Sequence, residues 1–127
     1  MQALYVLEYA LFRSVMGLFR VLGLRRASDL GGWFARSVGP RIPVTRRARR
    51  NMSLALPELS DAEREQYIVA MWDNLGRMFA EYAHLDKFWA LRPGARIEIS
   101  GIEHAEAAIA NGKGGLFVSG HCGNWEL

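Results

Sequence analysis

The sequence predicts an α/β fold: a membrane-associated N-terminal helix and a helical region, then the first βαβ unit of a mostly parallel sheet, incomplete within these 127 residues. Three observations predict it. They are a long apolar stretch at residues 3–24, an amphipathic segment after Ser60, and strand-like segments at 95–100 and 116–119. Half of the residues are hydrophobic and 23% are charged, which excludes a disordered chain. A single cysteine, Cys122, excludes an intrachain disulfide framework.

The stretch at residues 3–24 is long enough to cross a bilayer, but it contains Glu8, Arg13 and Arg20. On a helix, Arg13 and Arg20 share one face, and most of the leucines lie on the other. This pattern predicts a membrane-associated helix. Both an in-plane helix with snorkelling arginines and a spanning helix stay open. A helix docked on the protein's own core is the alternative.

Positive charge is concentrated in the first part of the chain. Residues 1–50 carry ten arginines against two acidic residues, whereas residues 51–127 carry six basic residues against eleven acidic ones. The run TRRARR at 45–50 predicts contact with membrane lipid or another acidic partner, or else a solvated face. Nucleic acid is not expected, because no base-reading or stacking elements accompany the run. We therefore expect a membrane-associated helix with its basic flank at 1–26 and a second domain at 27–127.

The segment after Pro57 reads as a helix start. Ser60 followed by Glu63 is the spacing of a capping box, and apolar residues then recur at helical spacing as far as about His84. The aromatic side chains of this helix fit a core or the wall of a tunnel for an acyl chain, and the sequence does not separate the two. We expect His84 to cap the helix or to be solvated.

A βαβ unit is predicted in the last third of the chain. Residues 95–100 alternate like a strand, residues 102–110 read as a helix that Asn111-Gly112 stops, and residues 116–119 read as a short buried strand. Strand, helix and strand in this order form a parallel pair. His104, near the start of the helix, is expected to be exposed.

The segment GHCGNWEL follows the second predicted strand, at the strand end where open α/β sheets place their sites. A tight turn lets Glu126 approach the ring of His121, and the residues that support this turn are Gly123, Asn124 and Trp125. A histidine oriented by a carboxylate is a general base for activating a hydroxyl. The catalytic candidates are therefore His121 and Glu126.

Cys122 beside His121 raises a second possibility, a nucleophilic Cys/His pair. Adjacent residues after a strand point in opposite directions, which favours the general-base reading.

These residues carry a resemblance. GLFVSGHCGNWEL resembles the active-site motif of the lipid A biosynthesis (lauroyl/myristoyl) acyltransferases, within the wider glycerolipid acyltransferases that have a His-x4-Asp/Glu motif. RRNMSLALPELSDAERE, DNLGRMFAEYAHLDKFW and RIEISGIEHAEAAIANGKGGLFVSGH resemble earlier parts of the same family. The chain departs from the family at Cys122, where a bulky residue such as Phe is common.

The resemblance implies a membrane enzyme of lipopolysaccharide biosynthesis. A fatty acyl group would pass from acyl carrier protein or acyl-CoA to a hydroxyl of a lipid A precursor, at the cytoplasmic face of the inner membrane. His121 would act as the base and Glu126 would orient it, with no cofactor or metal. The arginines at 45–50 would meet lipid phosphates or the carrier protein.

Family members continue beyond this motif, so we expect residues 27–127 to be the N-terminal part of a truncated acyltransferase domain. The alternatives are an acyltransferase that acts on another lipid acceptor, such as a lysophospholipid or another glycolipid, and a catalytically inactive membrane-associated fragment.

Overall fold

The computed structural model describes residues 2–88, 97–110, 112, 116, 118 and 120. The chain divides into two compact units, Met1–His84 and Leu85–Leu127.

The described residues form five α-helices: α1 (Gln2–Leu22), α2 (Leu24–Val38), α3 (Thr45–Ala55), α4 (Asp61–Glu81) and α5 (Ile102–Ala110). Short 3-10 helices lie at Gly39–Arg41 and Tyr82–Lys87. None of the helices in this part of the chain combines the length and the apolar character needed to cross a membrane.

Small residues form the contact between α2 and α4, the largest helix interface of the first unit. A Cβ atom at Gly76 would lie 2.2 Å from the backbone oxygen of Gly31 and 2.4 Å from the Cβ of Ala35. The two backbones therefore touch, and only residues with little or no side chain fit between them. Ala27 and Ala80 are fully buried beside these glycines.

The helix predicted at residues 3–24 is present as α1, and it ends at Gly23, whose φ is 75°. Arg20 of α1 donates from Nη1 to the backbone oxygen of Ala83 at 2.7 Å. In return, Nε2 of His84 lies 3.0 Å from the backbone oxygen of Phe19. A carbonyl oxygen only accepts, so Nε2–H of His84 is the donor. These two bonds fasten the C-terminal end of α1 to the 3-10 helix that follows α4.

His84 is therefore buried, at 2% exposure, and the expectation that it caps the helix or is solvated is wrong. Apolar spacing predicts how far the helix extends, but it does not show that α1 returns to cover this position.

The capping box predicted at the start of α4 is confirmed. The Ser60 Oγ accepts from the backbone N–H of Glu63, and the Glu63 carboxylate accepts from the backbone N–H of Ser60 at 2.8 Å. Further along α4, Trp72 donates from Nε1 to Oγ1 of Thr45 at 3.1 Å. Thr45 is buried and donates to the backbone oxygen of Gly39 at 2.6 Å. Trp72 thus fixes the start of α3 against α4.

The predicted βαβ unit is wrong for the residues that the structure describes. The helix of the unit is present as α5, and Gly112 after it has a φ of 68°. However, residues 97–100 have no regular structure, and Leu116 and Val118 lie outside any strand with 91% and 89% of their surfaces exposed. The fold over the described residues is helical, without a sheet.

The physical reason is that a strand exists only where a second strand pairs with its backbone. Parallel pairing is non-local, and both faces of a parallel sheet need cover. Alternation of apolar and polar residues shows only that a segment suits a sheet. No described segment supplies the pairing.

Candidate functional site

The predicted catalytic pair lies outside the described residues. This applies to His121 and Glu126, and equally to the residues between them: Cys122, Gly123, Asn124 and Trp125. Their roles stay predictions from the sequence. In the described part of the chain, no group of three or more His, Cys, Asp and Glu side chains could hold a metal ion.

His104 is the nearest described histidine to the motif in sequence. Its side chain is 86% exposed and its Nε2 lies 3.8 Å from a carboxylate oxygen of Glu103. The expectation that His104 is exposed is confirmed. Because its side chain faces solvent, His104 can serve as the control position for substitutions at His121.

The arginines at 45–50 do not act as one group. Arg49 makes a bidentate pair with Glu65, at 2.8 Å and 2.7 Å, and also donates to the backbone oxygen of Pro40. These side-chain hydrogen bonds from Arg49 lower the pKa of Glu65 below its ordinary value, against the opposing effect of desolvation. Arg49 therefore holds α3 against α4.

The other arginines of that run are free to meet a partner. Arg46, Arg47 and Arg50 are exposed, and none of them forms an ion pair with another described residue. The run thus separates into one structural arginine and three exposed charges. Sequence reasoning missed this division, since the partner of Arg49 is sixteen residues away.

A charged network lies along one side of the α2–α4 contact. Asp73 accepts from Arg77 at 2.7 Å and from Arg36 at 2.5 Å, and Arg77 also pairs with Asp29 at 2.7 Å. The hydrogen bond from Arg77, followed by the one from Arg36, lowers the pKa of Asp73. The bonds with Asp29 and Asp73 raise the pKa of Arg77. This side of the helix pair is therefore charged, as is usual for a surface that faces water.

An apolar groove runs between α2 and α4 and is bordered by α1. Its volume is 620 Å³, and glycines of the helix contact, Gly31 and Gly76, form part of its lining. Leu30 and Phe34 of α2 line it, together with aromatic residues of α4. The sequence did not decide whether those aromatic residues belong to a core or to the wall of a tunnel. The structure places Trp72 and Phe79 on this groove.

Comparison with known proteins identifies the family of this chain. The chain matches bacterial lipid A biosynthesis acyltransferases over residues 2–127. It belongs to that family, and the resemblance seen in its motifs is confirmed.

Among curated proteins, the chain is similar to phosphatidylinositol mannoside acyltransferase of Mycobacterium tuberculosis, from strain H37Rv and from strain CDC 1551. It is 28% identical to each over 107 residues, which is 82% of this chain. The chain spans 32% of the length of these relatives. No solved structure matches it.

Proposed function

We propose that the protein transfers a fatty acyl group from a thioester donor, acyl carrier protein or acyl-CoA, to a hydroxyl of a lipid A precursor. The observation that carries this proposal is the family match over residues 2–127, which includes the segment GHCGNWEL. The chemistry of that segment agrees, because it contains a histidine and a carboxylate suited to general-base catalysis.

In the proposed reaction, His121 takes the proton of the acceptor hydroxyl while the oxygen attacks the thioester carbonyl. The C–O bond forms, the C–S bond breaks, and the thiolate that leaves takes the proton from the imidazolium. Glu126 holds the ring of His121 in position and stabilises its positive charge.

The acceptor has a second candidate. The curated relatives are named as acyltransferases of phosphatidylinositol mannoside, a mannosylated lipid. Their names support the alternative that this protein acylates a glycolipid other than a lipid A precursor. Both candidates use the same proposed dyad, so they differ only in the acceptor.

We also propose that the protein works at the cytoplasmic face of the inner membrane, with α1 in contact with lipid. Support comes from the first half of α1, where large apolar side chains are exposed to more than half of their surface. They are Leu4, Tyr5, Val6, Leu7, Tyr9 and Leu11. An apolar helix surface of this kind, followed by a basic segment, suits a membrane interface.

The test is an acyl-transfer assay with a panel of acceptors and donors. Labelled acyl carrier protein and acyl-CoA are each offered with a lipid A precursor, a phosphatidylinositol mannoside and a lysophospholipid. The wild type is expected to acylate the lipid A precursor, and His121→Ala and Glu126→Ala to lose most of that activity. General-base catalysis contributes about 10²–10⁴-fold, which sets the expected loss.

Matched controls are available on α5. His104→Ala and Glu106→Ala change the same residue types at exposed positions, and they are expected to keep full activity. Acylation of the mannoside alone would replace the first acceptor with the second. Equal activity of His121→Ala and His104→Ala would contradict the proposed dyad.

A further inference from the structure

The packing of α2 against α4 places small residues inside and large apolar residues outside. Gly31 and Ala35 of α2 face Gly76 and Ala80 of α4, and Ala27 of α2 belongs to the same buried cluster as Ala80. A helix pair in water buries its large apolar side chains, because that removes the most apolar surface from solvent. Helix pairs in lipid show the reverse order, since lipid tails cover large apolar side chains as well as protein does. The order seen here indicates an apolar environment beside the pair.

Several of the large apolar side chains that face outwards lie together and form the groove described above. Phe34 of α2 and Leu75 and Phe79 of α4 line it, and α1 contributes Val15 and Leu18. Among the residues that the structure describes, those that line the groove carry no charged side chain. Its volume of 620 Å³ lies within the usual range of about 300–1,000 Å³ for small-molecule sites. An unbranched hydrocarbon chain needs no polar partner and suits such a lining.

The surroundings of the groove favour an anionic amphiphile. Trp72, which lines the groove, is bonded to Thr45, and Arg46 and Arg47 follow Thr45 in the first turn of α3. Both arginines are exposed and form no ion pair with a described residue. Guanidinium groups that directly follow the threonine bonded to the groove tryptophan place positive charge at the start of α3, and such groups attract phosphate.

We propose that the groove between α2 and α4 binds one acyl chain of an anionic membrane phospholipid, and that the start of α3 supplies positive charge for its headgroup. The lining residues of this groove all belong to the first unit and include neither His121 nor Glu126, and binding requires no acyl transfer. The charged network of Asp29, Arg36, Asp73 and Arg77 is not part of the groove lining and keeps another side of the helix pair polar.

The proposal is tested by photo-crosslinking in vesicles. The protein is mixed with phosphatidylglycerol that carries a diazirine in one acyl chain, irradiated, digested and mapped by mass spectrometry. Crosslinks are expected on peptides of α2 and α4, and more of them with phosphatidylglycerol than with phosphatidylcholine of the same chain length. Arg46→Gln with Arg47→Gln is expected to reduce that preference.

A matched pair on α2 isolates the groove. Phe34 is 60% exposed and lines the groove, whereas Trp33 beside it is 53% exposed and does not. Phe34→Glu puts a charge where the chain lies and is expected to lower crosslinking to α2 and α4 by about fivefold or more. Trp33→Glu is expected to stay within about twofold of the wild type. Circular dichroism checks that both variants keep their helices.

Several outcomes would overturn the proposal. They are crosslinks that avoid α2 and α4, equal yields in the two variants, and a dimer in the absence of lipid that Phe34→Glu dissociates, which would assign the groove to a second copy. Crosslinking of His121→Ala at the wild-type level would support it even if acyl transfer fails. The two proposals can therefore fail independently.

Discussion

The helix pair α2–α4 and helix α5 differ in what their apolar faces contact. In the first unit, Gly31 and Gly76 bring two backbones together, and ion pairs join the same helices. In the second unit, α5 buries none of its residues, and Ile109 is 72% exposed. A local sequence pattern is enough to form each of the helices α2, α4 and α5. A partner is specified only where complementary small residues and charges occur on two segments.

The strongest way to break this contrast is to add one methyl group to the contact between α2 and α4. Gly76→Ala would place a Cβ 2.2 Å from the backbone of Gly31, so the helices must separate. We expect a loss of about 3 kcal/mol or more in the free energy of unfolding. Urea denaturation followed by circular dichroism measures it.

Gly17→Ala is the matched control, since a Cβ at this α1 position meets nothing within 4 Å. It is expected to raise stability by about 0.5–1 kcal/mol through helix propensity. Similar effects of the two substitutions would show that α2 and α4 do not touch as described.

The next largest effect on stability is expected from the charged network along the α2–α4 contact. Asp73→Asn removes the acceptor charge for Arg77 and Arg36, and we expect a loss of about 1–2 kcal/mol at pH 7, between exposed and buried ion pairs. The pKa of Asp73 is lowered in the folded state, so its contribution is present above the unfolded value of about 3.9. It is lost as the pH falls through the folded pKa.

Denaturation curves measured from pH 7 down to pH 2 should therefore show that the difference in the free energy of unfolding between wild type and Asp73→Asn becomes smaller at acid pH. Asp61→Asn is the control, because the Asp61 side chain is fully exposed in its pair with Arg64. A difference between wild type and Asp73→Asn that does not change with pH would contradict the charged network.

A smaller effect is expected at the start of α4. Ser60→Ala removes the side chain that accepts from the backbone N–H of Glu63, which should lower stability by about 1 kcal/mol. Ser53→Ala is the control, because its hydroxyl donates only to the nearby oxygen of Arg50 on an exposed surface. Thermal unfolding compares the two variants, and equal melting temperatures would contradict the cap.

The smallest effect is expected in α5. Ile109→Gln replaces an exposed apolar side chain and should change the free energy of unfolding by less than about 0.5 kcal/mol. A large loss would show that this face of α5 has a partner after all, and would weaken the contrast between the two regions.

Local signals predicted part of the fold. The Ser60–Glu63 spacing gave the start of α4, and the apolar periodicity gave α1 and α5, because caps and helical faces depend on neighbours a few residues away. The strand expected at 95–100 is absent over its described residues 97–100, because strand pairing depends on distant segments. Helices α2 and α3 were not assigned. Their arginines were read as a basic flank, although Arg and Ala favour helices.

The candidate site was predicted from the motif, and the roles of His121 and Glu126 stay predictions because both residues lie outside the described part of the chain. What the sequence did not predict is the division of the arginines. The pair of Arg49 with Glu65 depends on the packing of α3 on α4, which no local pattern encodes. Arg46 and Arg47 remain exposed for the same reason, since they lie elsewhere on α3.

The most direct test of the account is mass spectrometry of the lipids made in cells whose chromosomal gene carries His121→Ala or His104→Ala. The account predicts that His121→Ala removes one acyl group from the acceptor lipid, while His104→Ala leaves the lipid profile unchanged. An unchanged profile in both strains, with both proteins present at the wild-type level, would contradict the assignment of acyl transfer to His121.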